Sequence, residues 1–271
     1  MTAVVKVSKS VLFETVMAAV EAYAIKHDGQ DVVAIETAAS LWGSVNKRLP
    51  FKCNIEHVSV ETSAERTRGS VCLNPSSLEI KKDIASAFGD GFSYIGSFHT
   101  HPWLKNESYG WKKIEGPESI RKDKLYNFTD SDHRCEVDSP EIMIGKNKFS
   151  VALVMTVHSM DRANDKKDGE LSTNVQEFSL GNIKFWLTAR VFEHKLLEHC
   201  SESECEAFES YGLDISEVDG DLLPIPIDTE LECEALQYLD LYLKEFGRLS
   251  AEEKGANYRN KNIAETRWFA K

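Results

Sequence analysis

Phe92-Ser93-Tyr94-Ile95-Gly96-Ser97-Phe98-His99-Thr100-His101-Pro102 is the stretch on which the reading of this chain turns. An apolar, glycine-containing run leads into two histidines two residues apart. In a β-strand, side chains alternate between faces, so His99 and His101 point the same way. Two neutral imidazoles on one face can ligate one zinc ion, which then needs a carboxylate and a water to complete a catalytic site. The plainer reading is two histidines making ordinary hydrogen bonds at a strand end. The choice depends on whether the rest of a metal site can be found along the chain.

At 271 residues the chain suits one enlarged domain, or one domain with an appendage. A hydrophobic fraction of 42% is enough for a buried core. No apolar run reaches membrane-spanning length, and Met1 to Lys9 lacks the zones of a signal peptide, so a cytoplasmic protein is expected. Six cysteines (Cys53, Cys72, Cys135, Cys200, Cys205, Cys233) contain no CxxC pair and read as reduced thiols. The net charge of −12 is uneven: Glu193 to Glu234 holds fourteen acidic residues against Lys195 alone, which leaves the remainder at +1. With no clustered Lys and Arg, a nucleic-acid-binding face is not expected. A membrane partner is not expected either.

Helical spacing follows Ser8 and Ser10 from Val11 to Ile25, and Gly29 closes the segment. Asp31 to Gly43 is a buried-looking segment continuing toward Val45, and Cys53–Val60 and Ser70–Leu73 read as strands. Pro75-Ser76-Ser77 opens an amphipathic helix through Phe88, ended by Gly89 and Gly91. Phe149–His158 and Glu177–Glu193 read as strands across a polar loop, Ser159 to Asn174. Strands mixed with helices, without regular βαβ alternation, predict an α+β fold: a mixed sheet flanked by helices. Beyond His194, helices are expected over His194–Ser210 and Thr229–Phe246, with Pro224-Ile225-Pro226 as an extended linker. The expected division is 1–193 for the main domain and 194–271 for an acidic, mostly helical extension. That extension is either a helical buttress on the sheet or an arm that docks a basic partner.

The best carboxylate candidate is Asp132, in Phe128-Thr129-Asp130-Ser131-Asp132-His133. A short helical turn would put Thr129 and Asp132 on one side. The same spacing also suits a capping box. Glu36 is a charged residue inside the apolar run Val32 to Leu41. Burying it is costly unless a cation lies near, which a zinc site would supply. Alternatively it sits at a strand edge or in a first helical turn. The soft or borderline ligands His133, Cys135, His158, His199, Cys200 and Cys205 are irregularly spaced, and read as buried cysteines and surface histidines in preference to a second, structural zinc site.

Together these pieces resemble the JAMM (MPN+) zinc metallopeptidases, whose signature is a glutamate heading a strand, then HxHP, then SxxD. Glu36 with Leu41-Trp42-Gly43, His99-Thr100-His101-Pro102, and Thr129 with Asp132 stand in that order, and the likeness covers roughly Val5 to Glu193. The resemblance implies a cytidine-deaminase-like JAB/MPN domain. Its zinc would be held by His99, His101 and Asp132, with Glu36 as general base and Thr129 as a donor to the oxyanion. It implies hydrolysis of an isopeptide or peptide bond at the C-terminus of a ubiquitin-like protein. Activating and conjugating enzymes of a bacterial conjugation or antiviral pathway would be further partners. The alternatives are an amide hydrolase for a small molecule or short peptide, and a metal-free scaffold subunit. Two departures stand out. Thr129 replaces the family's serine, with Ser131 as a rival hydroxyl at the wrong offset. Between His101 and Thr129 lie 27 residues, an insertion over 103–128 rich in aromatics and lysines. It is expected to be either a substrate-reading lid or a stabilising segment packed on the body.

Overall fold

The computed structural model describes residues 2–25, 33–89, 92–135, 142–160, 167–210, 214–215 and 222–238. In chain order the elements begin with β1 (Ala3–Val7), α1 (Lys9–Ala24), β2 (Ala38–Val45), β3 (Lys52–Val60), β4 (Glu65–Arg66), β5 (Val71–Cys72) and α2 (Pro75–Phe88). There follow β6 (Ser93–Trp103), β7 (Ser108–Tyr109), β8 (Lys112–Lys113), α3 (Pro117–Lys122), α4 (Asp130–Cys135), β9 (Ile142–Ile144) and β10 (Asn147–Ser159). The last are β11 (Gly169–Ser172), β12 (Val175–Leu180), β13 (Ile183–Leu196), α5 (Glu202–Ser210), β14 (Leu222–Ile227) and β15 (Thr229–Glu232). The fold is a mixed α/β one, consistent with α+β: a large curled sheet with few helices.

The sheet runs β11-β12-β13-β10-β6-β2-β3-β1-β15, with β14 also on β13 and β9 on β10. It is parallel at β6–β10, β1–β3 and β1–β15 and antiparallel elsewhere. Strand β13 is long enough to pair with β12 along its first half and with β14 along its second. Only Asp228 separates β14 from β15, which pairs with β1 at the opposite end of the path. The curl therefore brings the two ends together, where Leu231 N–H donates to Thr173 O (2.8 Å) and Val191 N–H to Thr229 Oγ1 (3.1 Å).

Both faces of the central strands are covered, which is why they read as nearly continuous apolar runs. On β10, Val151, Leu153, Met155 and Val157 join the main core beneath α1, whereas Ala152 and Val154 belong to a smaller cluster on the opposite face. Helix α1 starts where Ser8 Oγ accepts from Val11 N–H (3.3 Å), and it seats Val11, Leu12, Ala19 and Tyr23 in the main core. Buried Tyr23 reaches the end of β6, donating to Trp103 O (3.0 Å). Among the described residues no helix is long and apolar enough to cross a membrane.

The C-terminal expectations need correction. His194 to Leu196 continue β13, so the expected 193/194 boundary falls inside a strand, and the helix begins only at Glu202. Pro224-Ile225-Pro226 is no linker but lies within edge strand β14. Prolines at every second position lack donors along one strand edge only, leaving Leu223, Ile225 and Ile227 to bond β13. Thr229–Glu232 is a strand and Glu234–Tyr238 a 3-10 turn; the rest of the helix expected to Phe246 lies outside the described residues. The described part of 194–271 combines helix α5 and two 3-10 turns with strands β14 and β15, which extend the sheet; the rest lies outside the described residues. Glu177–Glu193 is two strands, because Gly181 (φ 58°) turns the chain between β12 and β13. Strand β1 was not foreseen, and Ser70–Leu73 shrinks to the two residues of β5.

Candidate metal centre

The register of β2 on β6 sets Ala38 opposite His99. One residue earlier, Thr37 N–H donates to Thr100 Oγ1 (2.9 Å) and Thr100 N–H to Thr37 O (3.0 Å). Thr100 is the residue between the two histidines, so this pairing carries Glu36 to the level of His101, on the histidines' face. Glu36 lies just before β2 and is 9% exposed. Its backbone N–H donates to Thr67 O (2.7 Å) in the turn joining β4 and β5. Burial pushes its pKa up to about 7; His99 opposes the rise and Asp132 adds to it.

Asp132 reaches the same place by a longer route. The chain returning from the insertion lies on the histidines' face of the sheet. Leu125 O accepts from Trp103 Nε1 (3.3 Å) and Thr156 Oγ1 (3.4 Å), and Tyr126 O accepts from Thr188 Oγ1 (2.9 Å). Phe128 then packs on Ala152, Val154 and Phe192, with the Arg190 guanidinium 4.8 Å from its ring centroid. Arg190 also bonds the buried His133 at Nε2 (2.8 Å), and burial, followed by Arg190, lowers the His133 pKa to about 4. Neutral His133 is therefore an acceptor that fastens α4 to β13.

These anchors set Asp132 Oδ1 3.0 Å from His99 Nε2 and Oδ2 3.3 Å from His101 Nε2, with the two Nε2 atoms 3.1 Å apart. Around an ion with ligand distances of about 2.0–2.1 Å in a tetrahedral array, neighbouring ligand atoms lie about 3.3 Å apart. The three donors thus fit one zinc-sized ion in spacing and in kind. Among the described residues this is the one group of three or more His, Cys, Asp or Glu side chains so placed. Burial lowers the His101 pKa, with Asp132 opposing, which favours the neutral, ligating imidazole. Burial alone would raise Asp132, but its hydrogen bonds to His101 and His99 outweigh this and hold it well below the usual carboxylate range.

The capping box is also present. Thr129 N–H donates to Asp132 Oδ2 (2.6 Å) and Asp132 N–H to Thr129 Oγ1 (3.3 Å), so the two readings of this motif coincide in one carboxylate. The Thr129 hydroxyl is 2.9 Å from that of Ser131, and both line the cleft beside the histidines. Ser131 is thus a second hydroxyl at the site, which the motif spacing had set aside. The cleft has a volume of about 640 Å³, and Arg68, Trp103 and Glu107, none of them a sequence candidate for the site, also line it.

The insertion is mostly body. Ile114, Ile120, Leu125 and Tyr126 form a core with Val175 and Trp186 of the sheet. Arg121 bonds Glu177 bidentately, and Glu177 also binds Lys184 Nζ (2.7 Å) and Trp186 Nε1 (2.8 Å). The β7–β8 hairpin stays outside, with Trp111 90% exposed. This favours the packed-segment expectation for most of 103–128.

No protein-family model matches the chain. A search of curated proteins likewise finds no match.

Proposed function

We propose that the chain is a zinc-dependent hydrolase of amide bonds with a cytidine-deaminase-like JAB/MPN domain. Its proposed substrate is an isopeptide or peptide bond at the C-terminus of a ubiquitin-like protein. The observation that carries the reading is the convergence of Glu36, His99, His101 and Asp132, 96 positions apart at the extremes, on one face of the sheet beside an open cleft. His99, His101 and Asp132 would hold the zinc. When bound, it supplies a Lewis acid that polarises a carbonyl and acidifies water toward neutral pH.

The remaining work falls to the chain's own groups. Glu36 takes a proton from the attacking water and returns it to the departing amine, and its burial raises the proton affinity of the carboxylate, which suits it to both transfers. Thr129 Oγ1 accepts from the Asp132 N–H and lies 2.9 Å from Ser131 Oγ; with Ser131 as the donor of that pair, the Thr129 proton donates to a developing oxyanion. Phe128 and Trp103 wall the cleft beside the two histidines.

The test uses purified protein, elemental analysis for zinc, and a panel of ubiquitin-like fusions and short peptide amides, with and without chelator. Cleavage should need zinc; Glu36→Gln should keep the metal and lose at least about 100-fold in kcat; His99→Ala should lose the metal. Turnover by Glu36→Gln equal to wild type, or full activity in metal-free protein, would overturn the proposal. Cleavage confined to peptide amides would move the substrate to a small molecule.

A further inference from the structure

The turn between β4 and β5 is wound tightly on itself: Thr67 N–H donates to Ser70 O (2.9 Å), and Gly69 N–H to Thr67 Oγ1 (3.3 Å). Its strands are two residues each, too short to hold it rigidly by pairing. Yet this turn supplies the carbonyl, Thr67 O, to which the Glu36 N–H is bonded. Arg68, the next residue, reaches across to Glu107 of the insertion, Nη2 to Oε1, at 2.8 Å. Glu107 is itself firmly placed. Its other carboxylate oxygen accepts from Leu104 N–H (2.8 Å), its N–H donates to Leu104 O (3.3 Å), and its carbonyl accepts from Ile114 N–H (2.9 Å). Ile114 is buried in the insertion's core. Arg68 and Glu107 both line the cleft, and their side chains are largely shielded from solvent.

We propose that the Arg68–Glu107 ion pair is a clasp that positions Glu36. It fastens the β4–β5 turn to the insertion and so fixes the backbone of the proton acceptor relative to the histidines. Arg68 is a positioning residue acting through Thr67, and Glu107 is its fixed anchor. The insertion thereby serves the reaction without covering the cleft as a lid. The inference rests on the reading of Glu36 as the base, and it adds residues that no motif of the chain contains.

The experiment combines two readouts on the full-length protein. The first is hydrogen exchange at the Glu36 amide, which requires no activity. The second is hydrolysis by the zinc-loaded protein of whichever fusion or peptide amide the panel shows to be cleaved. Arg68→Ala and Glu107→Gln, the latter still able to accept from Leu104 N–H, should each speed Glu36 exchange several-fold. Each should lower kcat about tenfold with KM and zinc content near wild type, as expected for a small misplacement of a reacting group. The double variant should be no worse than either single one, as coupled residues show. Unchanged exchange at Glu36 in both single variants, or losses that simply add, would overturn the clasp. If the wild type cleaves nothing, the proposed function falls, whereas the exchange measurement still decides whether the clasp exists.

Discussion

Replacing Glu177 with Gln would remove the one negative charge on which Arg121, Lys184 and Trp186 converge. The carboxylate is buried, Lys184 is fully buried, and Arg121 belongs to the insertion that carries the chain back to Asp132. Removing one partner of a buried ion pair costs roughly 3–5 kcal/mol, because the other charge stays desolvated. Lys184 would keep Asp168 at 2.6 Å and Arg121 would keep the exposed Glu118 at 2.9 Å, which places the expected loss near the lower end, about 3 kcal/mol. For a chain of this size that corresponds to a fall in Tm of roughly 6–12 °C. Thermal unfolding measures the loss. Hydrogen exchange over 117–128 should rise in the same variant, since the clamp holds that segment on β12 and β13. Zinc affinity should fall with it, because Asp132 depends on the same return path. Glu118→Gln removes an exposed carboxylate shared by the exposed Lys167 and by Arg121, which keeps Glu177; it serves as the control and should change stability by less than about 0.5 kcal/mol. A Glu177→Gln protein that melts within about 2 °C of wild type would refute the view that this network holds the insertion in place.

Gly96→Ala should destabilise by about 3 kcal/mol or more, since a Cβ there would overlap the Val151 carbonyl oxygen and lie 2.7 Å from its carbon, forcing β6 and β10 apart three residues before His99. A Cβ at Gly69 meets nothing within 4 Å, so Gly69→Ala should be near neutral when both variants are compared by urea titration; equal effects would contradict the packing argument. His194 donates to or accepts from Ser150 Oγ (2.9 Å), and burial, followed by Lys148, lowers its pKa to about 4. Its folded pKa lies below the unfolded one, so between about pH 6.5 and 4 the unfolded chain binds the extra proton and stability falls as pH falls, by about 2.5 kcal/mol at pH 4.5. His194→Gln should flatten that slope, and an unchanged slope would assign the acid sensitivity to other groups.

Much of the site was legible because its chemistry is carried by residue type and short spacing. The alternation of a strand is enough to put His99 and His101 on one face, and both end up facing Asp132. A glutamate stranded in an apolar run signalled a buried carboxylate, and Glu36 is one. The helix from Pro75 to Phe88 was legible from its proline start and glycine end, although the cap is Asn74, whose Oδ1 accepts from Ser76 N–H at 3.1 Å. Where the reading failed, local pattern and tertiary context disagreed. The segment 222–232 carries prolines and acids that look like linker and helix, yet it pairs with β13 and β1, an outcome decided by partners some thirty and more than two hundred residues away.

Donor chemistry and strand periodicity are local properties, so residue types and their spacing are enough to say which groups could bind a metal and in what order the chain presents them. The folded chain alone shows that Asp132 closes a capping box with Thr129 and faces both histidines at once. It also shows that Arg190, Glu177 and Lys184 fasten the path to Asp132 onto the sheet, and that Arg68 and Glu107 join across the cleft. Those pairings link residues far apart in the chain. They follow from how the curled sheet brings distant backbone into register, and no local spacing encodes that.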